Sequence, residues 1–144
     1  MYALNDIVLY KGEPKRIVSL SNEYVETYIK LEDIYSNILQ NGVEPIEISK
    51  PFLMKNNFVL KKLLVTFDKD KFDKFVYLKF VYLNDGFTIK LYISEKNDGL
   101  NVARLVIHKN GTGNMIDVKL NYVHELQQAF RMCNLQYIAD NFKI

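Results

Sequence analysis

Apolar positions along this chain fall into two periods, and the place where one replaces the other organises the whole reading. From residue 60 to 122 they recur in alternation; after 122 they recur at helical spacing. Ile116, Val118, Leu120 and Tyr122 form the last alternating set, and Leu126, Ala129, Phe130 and Cys133 the first helical one. A final strand therefore runs directly into a closing helix. Upstream, 87–94 alternates cleanly, with Phe87, Ile89, Leu91 and Ile93 inward and Thr88, Lys90, Tyr92 and Ser94 outward. Residues 75–83 are apolar on both alternating sets, the pattern of a strand covered on both faces. With 102–108 and 115–122 these make a four-stranded antiparallel meander, its turns marked by Asn84-Asp85-Gly86, a loop over 95–100 and Asn110-Gly111-Thr112-Gly113-Asn114.

The first 48 residues follow a shorter rhythm. Strands are expected at 7–10, 16–20, 24–31 and over 43–48, with Lys11-Gly12-Glu13-Pro14 and Ser21-Asn22-Glu23 as turns. So many short strands in so few residues predict a small SH3-like β unit. Ser49 then offers an N-cap, Pro51 sits in the first turn, and Asn56 or Asn57 offers a left-handed stop, which predicts a linking helix over 49–59. The expected architecture is α+β: an SH3-like unit at 1–48, the helix at 49–59, and the meander closed by the C-terminal helix at 60–144.

Composition adds limits. The 144 residues are 49% hydrophobic and 25% charged, with 10 Tyr, 9 Phe and no Trp. This is a folded domain with a bias toward strands. The net charge of +2 does not by itself mark a nucleic-acid binder, but its distribution is uneven. Residues 1–49 carry four Lys and Arg against eight Asp and Glu; residues 50–144 carry fifteen against nine. Either two surfaces attract each other, within one chain or across a homodimer, or a basic face in the second part receives an anion. A single cysteine and no basic-then-apolar leader point to a reducing, cytoplasmic setting, and no stretch has the length to cross a bilayer.

Candidate chemistry is sparse. One Cys and two His with no ligand spacing give no basis for a metal site, and nothing calls for a cofactor. His124 begins the last helix beside Glu125, but neighbours on a helix do not face each other, so the pair makes no acid–base couple. Cys133 lies on the apolar stripe and reads as a buried small hydrophobe. Gly111-Thr112-Gly113 joins two strands and lacks the Gly-Lys-Ser/Thr of a phosphate loop. Gln127, Gln128 and Arg131 read as a solvated helix face or a contact surface. No catalytic residue can be named, and the expected activity is binding rather than catalysis. Lys69, Lys71, Phe72, Lys74, Phe75, Tyr77, Lys79, Phe80 and Tyr82 interleave cations with rings, as surfaces for nucleotides and single strands do, although Asp68, Asp70 and Asp73 offset them. If an anion binds, the expected contacts are Lys79, Lys90, Tyr92 and Arg104, on consecutive strands of one face.

Two segments carry a resemblance. Val43-Glu44-Pro45-Ile46-Glu47-Ile48-Ser49 followed by Phe52-Leu53-Met54-Lys55-Asn56-Asn57-Phe58, and Tyr122-Val123-His124-Glu125-Leu126-Gln127-Gln128, are similar to the linker and closing signature of a family of uncharacterised small phage and prophage proteins of gut bacteria. Past that signature the two part, since this chain reads Arg131-Met132-Cys133-Asn134-Leu135 where the family has an aromatic run and a Thr-Gly pair. The resemblance implies an SH3-like opening and an accessory binding protein acting in the host cytoplasm. A counter-defence role would follow, by masking a host protein or sequestering a nucleotide signal. The rival expectation is a nucleic-acid-associated module.

Overall fold

A computed structural model describes residues 1–23, 25–68, 73–84, 86–96, 99–109 and 111–144, with the backbone alone at 62–68, 73–80, 84, 94–96, 99 and 103. The fold is α+β. Its strands are β1 (Ile7–Tyr10), β2 (Glu13–Glu23), β3 (Glu26–Leu31), β4 (Ile38–Leu39), β5 (Val59–Asp68), β6 (Asp73–Asn84), β7 (Phe87–Lys96), β8 (Gly99–Lys109) and β9 (Thr112–Leu120). Its helices are α1 (Lys50–Lys55), α2 (Val123–Met132) and α3 (Gln136–Asp140). The strands form two antiparallel sheets, β1 to β4 and β5 to β9, each in sequence order.

The chain divides into two compact units, and the division differs from the expected one. Residues 1–47 group with 122–142, whereas 48–121 form the second unit. The closing helix α2 therefore belongs to the first unit, where the expectation grouped it with the meander. The periodicity of α2 shows that one face is covered; it carries no information about which element covers it.

In the first unit, a tight turn with Lys11 at φ 51° and Gly12 at φ 80° joins β1 to β2, the backbone that matches the twist of a two-residue hairpin. Val8, Ile17, Ile29, Leu31 and Val43 form its core, with Tyr2, Tyr10, Ile34 and Ile38 against them. The strand expected over 43–48 is reduced to two isolated bridges, Leu9 with Glu44 and Glu47 with Tyr122. Strand β2 runs on through the expected turn at 21–23.

In the second unit, α1 is built as its sequence demands. The Ser49 hydroxyl accepts from the Phe52 amide at 3.2 Å, Pro51 occupies the first turn, and Asn57 takes the left-handed conformation at φ 67°. The amides of Asn57 and Phe58 return to the carbonyls of Met54 and Leu53, at 3.2 and 3.0 Å. A Schellman close thus places Phe58 beside Leu53, both buried. Replacing Ser49 by Ala removes this cap and is expected to cost about 1 kcal/mol of stability in a denaturant titration.

The sheet of the second unit has five strands where four were expected. The additional strand is β5, where Leu63, Val65 and Phe67 alternate with Lys62, Thr66 and Asp68 in the sequence; a bulge between Leu60 and Lys62 puts this stretch out of step with Val59 and Leu60. Strand β9 starts at Thr112, three residues before the expected start and directly after Gly111, whose φ of 79° reverses the chain. Along β7 Ile89, Leu91 and Ile93 are fully buried as expected, whereas Thr88, Lys90 and Tyr92 are half-buried. Phe87, also expected inward, is half-buried, and the Ser94 side chain lies outside the described residues. Leu105 and Val102 continue the buried face on β8. Of the strand expected to be covered on both faces, Val81 is buried and Leu83 is 67% exposed; side chains 75–80 lie outside the described residues.

Candidate functional site

Antiparallel register decides which side chains of the meander share a face, because directly opposed residues point to the same side. Lys79 on β6 stands opposite Tyr92 on β7, and Tyr92 opposite Arg104 on β8. Three of the four expected contacts thus occupy one row that crosses three adjacent strands. Lys90, two residues before Tyr92, joins the same face in the next row, opposite Val81 and Val106. The described face has an apolar floor, since Val81 and Val106 are 6% and 9% exposed, beside half-buried Lys90, Tyr92 and Arg104.

Arg104 does not stand alone. Its Nε donates to Asp117 Oδ1 of β9 at 2.7 Å, with side chains 44% and 72% exposed. An ion pair this open to water contributes at most about 1 kcal/mol. Of the Lys and aromatic run at 69–82, residues 69–72 lie outside the described residues, as do the side chains of 74–80, Lys79 among them. Sequence reasoning missed one member of the row: Lys62, which the register sets opposite Lys79. The alternation of Leu63, Val65 and Phe67 with Lys62, Thr66 and Asp68 was the signal that could have found it.

The first unit holds a different kind of cluster. Asp6 is fully buried; its Oδ1 accepts from Arg131 Nη1 at 2.6 Å, and its Oδ2 accepts from Gln128 Nε2 and the Ala3 amide, both at 2.7 Å. Arg131 Nε also donates to Asp140 Oδ1 at 3.1 Å. Gln127, also fully buried, accepts from the Ile7 amide at 2.9 Å and donates to the carbonyls of Asn5 and Ala139 at 3.0 Å. Gln127, Gln128 and Arg131 are thus a contact surface, not a solvated face. They hold the first seven residues and α3 against α2, and every atom of Gln127 that seeks a partner has one. Such a cluster stabilises, although Arg131 Nη2 is buried in it without a hydrogen-bond partner.

His124 belongs to this cluster by position. It is 8% exposed, edge-on to Tyr2 at 4.7 Å and stacked near Tyr122 at 5.8 Å, and its Nδ1 is buried without a hydrogen-bond partner. Burial lowers its pKa below 6.5, with Asp6 and Glu125 working in the opposite direction and the N-terminal amine adding to the depression. Desolvation dominates because the charged ring would lose its water. The unfolded chain therefore binds a proton that the folded one refuses, so stability rises with pH across that window. Between pH 7 and 5 the unfolding midpoint is expected to fall, and His124→Gln to flatten that part of the profile. An unchanged slope in the variant would exclude His124 as the source.

Burial likewise raises the Cys133 thiol above its usual value, the reverse of what a nucleophile needs. His108 lies across from Gly113, where an added Cβ would come within 2.8 Å of its ring. Among the described residues no three His, Cys, Asp or Glu side chains gather as metal ligands, and no helix is long and apolar enough to cross a membrane. An open cleft of about 440 Å³ lies by the first hairpin, lined by Tyr10, Lys11, Glu13, Lys15 and Ile34. There Lys11 sits over the Tyr10 ring at 5.2 Å, and Glu13 offsets part of the positive charge. Compared with protein-family models, with characterised proteins and with solved structures, the chain matches none.

Proposed function

We propose that this is a non-enzymatic binding protein whose ligand is anionic and docks on the Lys79, Lys90, Tyr92 and Arg104 face of the second unit. The register that sets Lys79, Tyr92 and Arg104 in one row is the observation that carries this reading. Cations on adjacent strands hold phosphate or carboxylate oxygens, while a tyrosine ring with Val81 and Val106 beside it accepts a flat apolar group. The surplus of fifteen basic over nine acidic residues in 50–144 supports the same face. The resemblance to phage and prophage proteins supplies the setting: an accessory protein, with an SH3-like first unit, acting on a host component as a counter-defence factor. Sequestering a nucleotide signal fits the anionic face; masking a host protein would require an acidic surface on that partner.

The test is a thermal-shift titration with inorganic tripolyphosphate and with nucleotides. Wild-type protein should be stabilised increasingly with the logarithm of ligand concentration above the dissociation constant, and Lys90→Glu with Arg104→Gln should lose the effect. No stabilisation by any phosphate compound would end the proposal.

A further inference from the structure

We infer that the ligand of this face is a single-stranded nucleic acid laid across the strands, an inference that rests on the anion-binding reading above and narrows it. Followed in both directions, the register extends the row over the whole sheet: Lys62 on β5, Lys79 on β6, Tyr92 on β7, Arg104 on β8 and Asp117 on β9. Adjacent strands are about 4.8 Å apart, so Lys62 and Arg104 are separated by about 14 Å along the row. A ligand that meets both ends must carry negative charge at intervals over that length.

It must also present a flat ring between the charges, where Tyr92 stands between Lys79 and Arg104. A polynucleotide strand has this alternation built in, because phosphates recur along its backbone and every base has a face to stack. A free nucleotide concentrates its charge at one end and reaches only part of the row. A duplex keeps its bases stacked on each other and withholds them from the tyrosine. The carboxylate of Asp117 ends the basic run at the β9 edge, which limits the footprint to the four strands before it. Lys90, one row away, adds a cation beside the same path.

The experiment is fluorescence anisotropy on the full chain with labelled oligothymidylate and oligouridylate of about twelve nucleotides, a hairpin duplex, and tripolyphosphate as competitor. Both single strands should bind more tightly than the duplex. The logarithm of the association constant should fall with the logarithm of salt at a slope of about −2, the value for three phosphates on a single strand. Lys62→Glu should weaken the oligonucleotides about tenfold and lower the slope by about 0.7 or more. Equal affinity for duplex and single strand, or a Lys62→Glu variant that binds oligonucleotide as wild type does, would overturn the inference. If oligonucleotides fail but tripolyphosphate or a nucleotide still stabilises the protein through Lys90 and Arg104, the anionic face stands and the single strand falls. If no phosphate compound binds, both fall.

Discussion

Arg131→Met should destabilise the protein by about 3–5 kcal/mol, the largest effect expected of any change to the polar cluster. Asp6 is fully buried and its Oδ1 has Arg131 as the ionic partner, at 2.6 Å. Methionine fills similar volume but leaves a carboxylate charge in the interior with only Gln128 and the Ala3 amide to solvate it. The cost comes from that stranded charge, and the pair itself contributes much less than this number. Adding Asp6→Asn to the methionine variant removes the charge and should recover a substantial part of the loss. Urea unfolding of the four proteins in the cycle measures this. A single-variant loss below about 1 kcal/mol, or no recovery in the double variant, would show that the cluster is not what holds residues 1–7 on α2.

The second large effect is on binding. Lys90→Glu with Arg104→Gln should reduce affinity for an anionic ligand by at least about a hundredfold at low salt, since it removes two cations and adds one negative charge. Both side chains are partly exposed, and the Arg104–Asp117 pair contributes little, so the fold should be perturbed by less than about 1 kcal/mol. The contrast with Arg131→Met is the point: one pair of changes weakens binding and leaves stability, the other lowers stability through a cluster outside the proposed face. Loss of binding in Arg131→Met under conditions where the protein remains folded would mean that the first unit contributes to the ligand site.

The residue pattern made some of these elements plain and left others hidden, for physical reasons. Strand β7 and helix α1 were legible because each is specified locally, by an unbroken alternation in one and by Ser49, Pro51 and Asn57 in the other. Strand β5 was less so although Leu63, Val65 and Phe67 alternate, because the bulge leaves Val59 and Leu60 out of step with them and Leu64 breaks the polar set. The place of α2 in the first unit was hidden too. An amphipathic stripe calls for cover, and the choice between the meander and β1 is made by Asp6, Gln127 and Arg131, polar residues whose burial depends on partners more than a hundred positions away. Polar side chains on a helix are read as solvated unless their partners are known. The Lys79, Tyr92 and Arg104 row was legible once strand order was assumed; Lys62 was not, since its strand was not anticipated.

The most direct test of the anionic face is an amide chemical-shift titration of the full chain with tripolyphosphate. Lys79, Lys90, Tyr92, Arg104 and their cross-strand neighbours should move together and saturate with one dissociation constant. Shifts confined to Lys11 and Lys15 in the first-unit cleft, or no saturable shift on β6 to β8, would contradict the account.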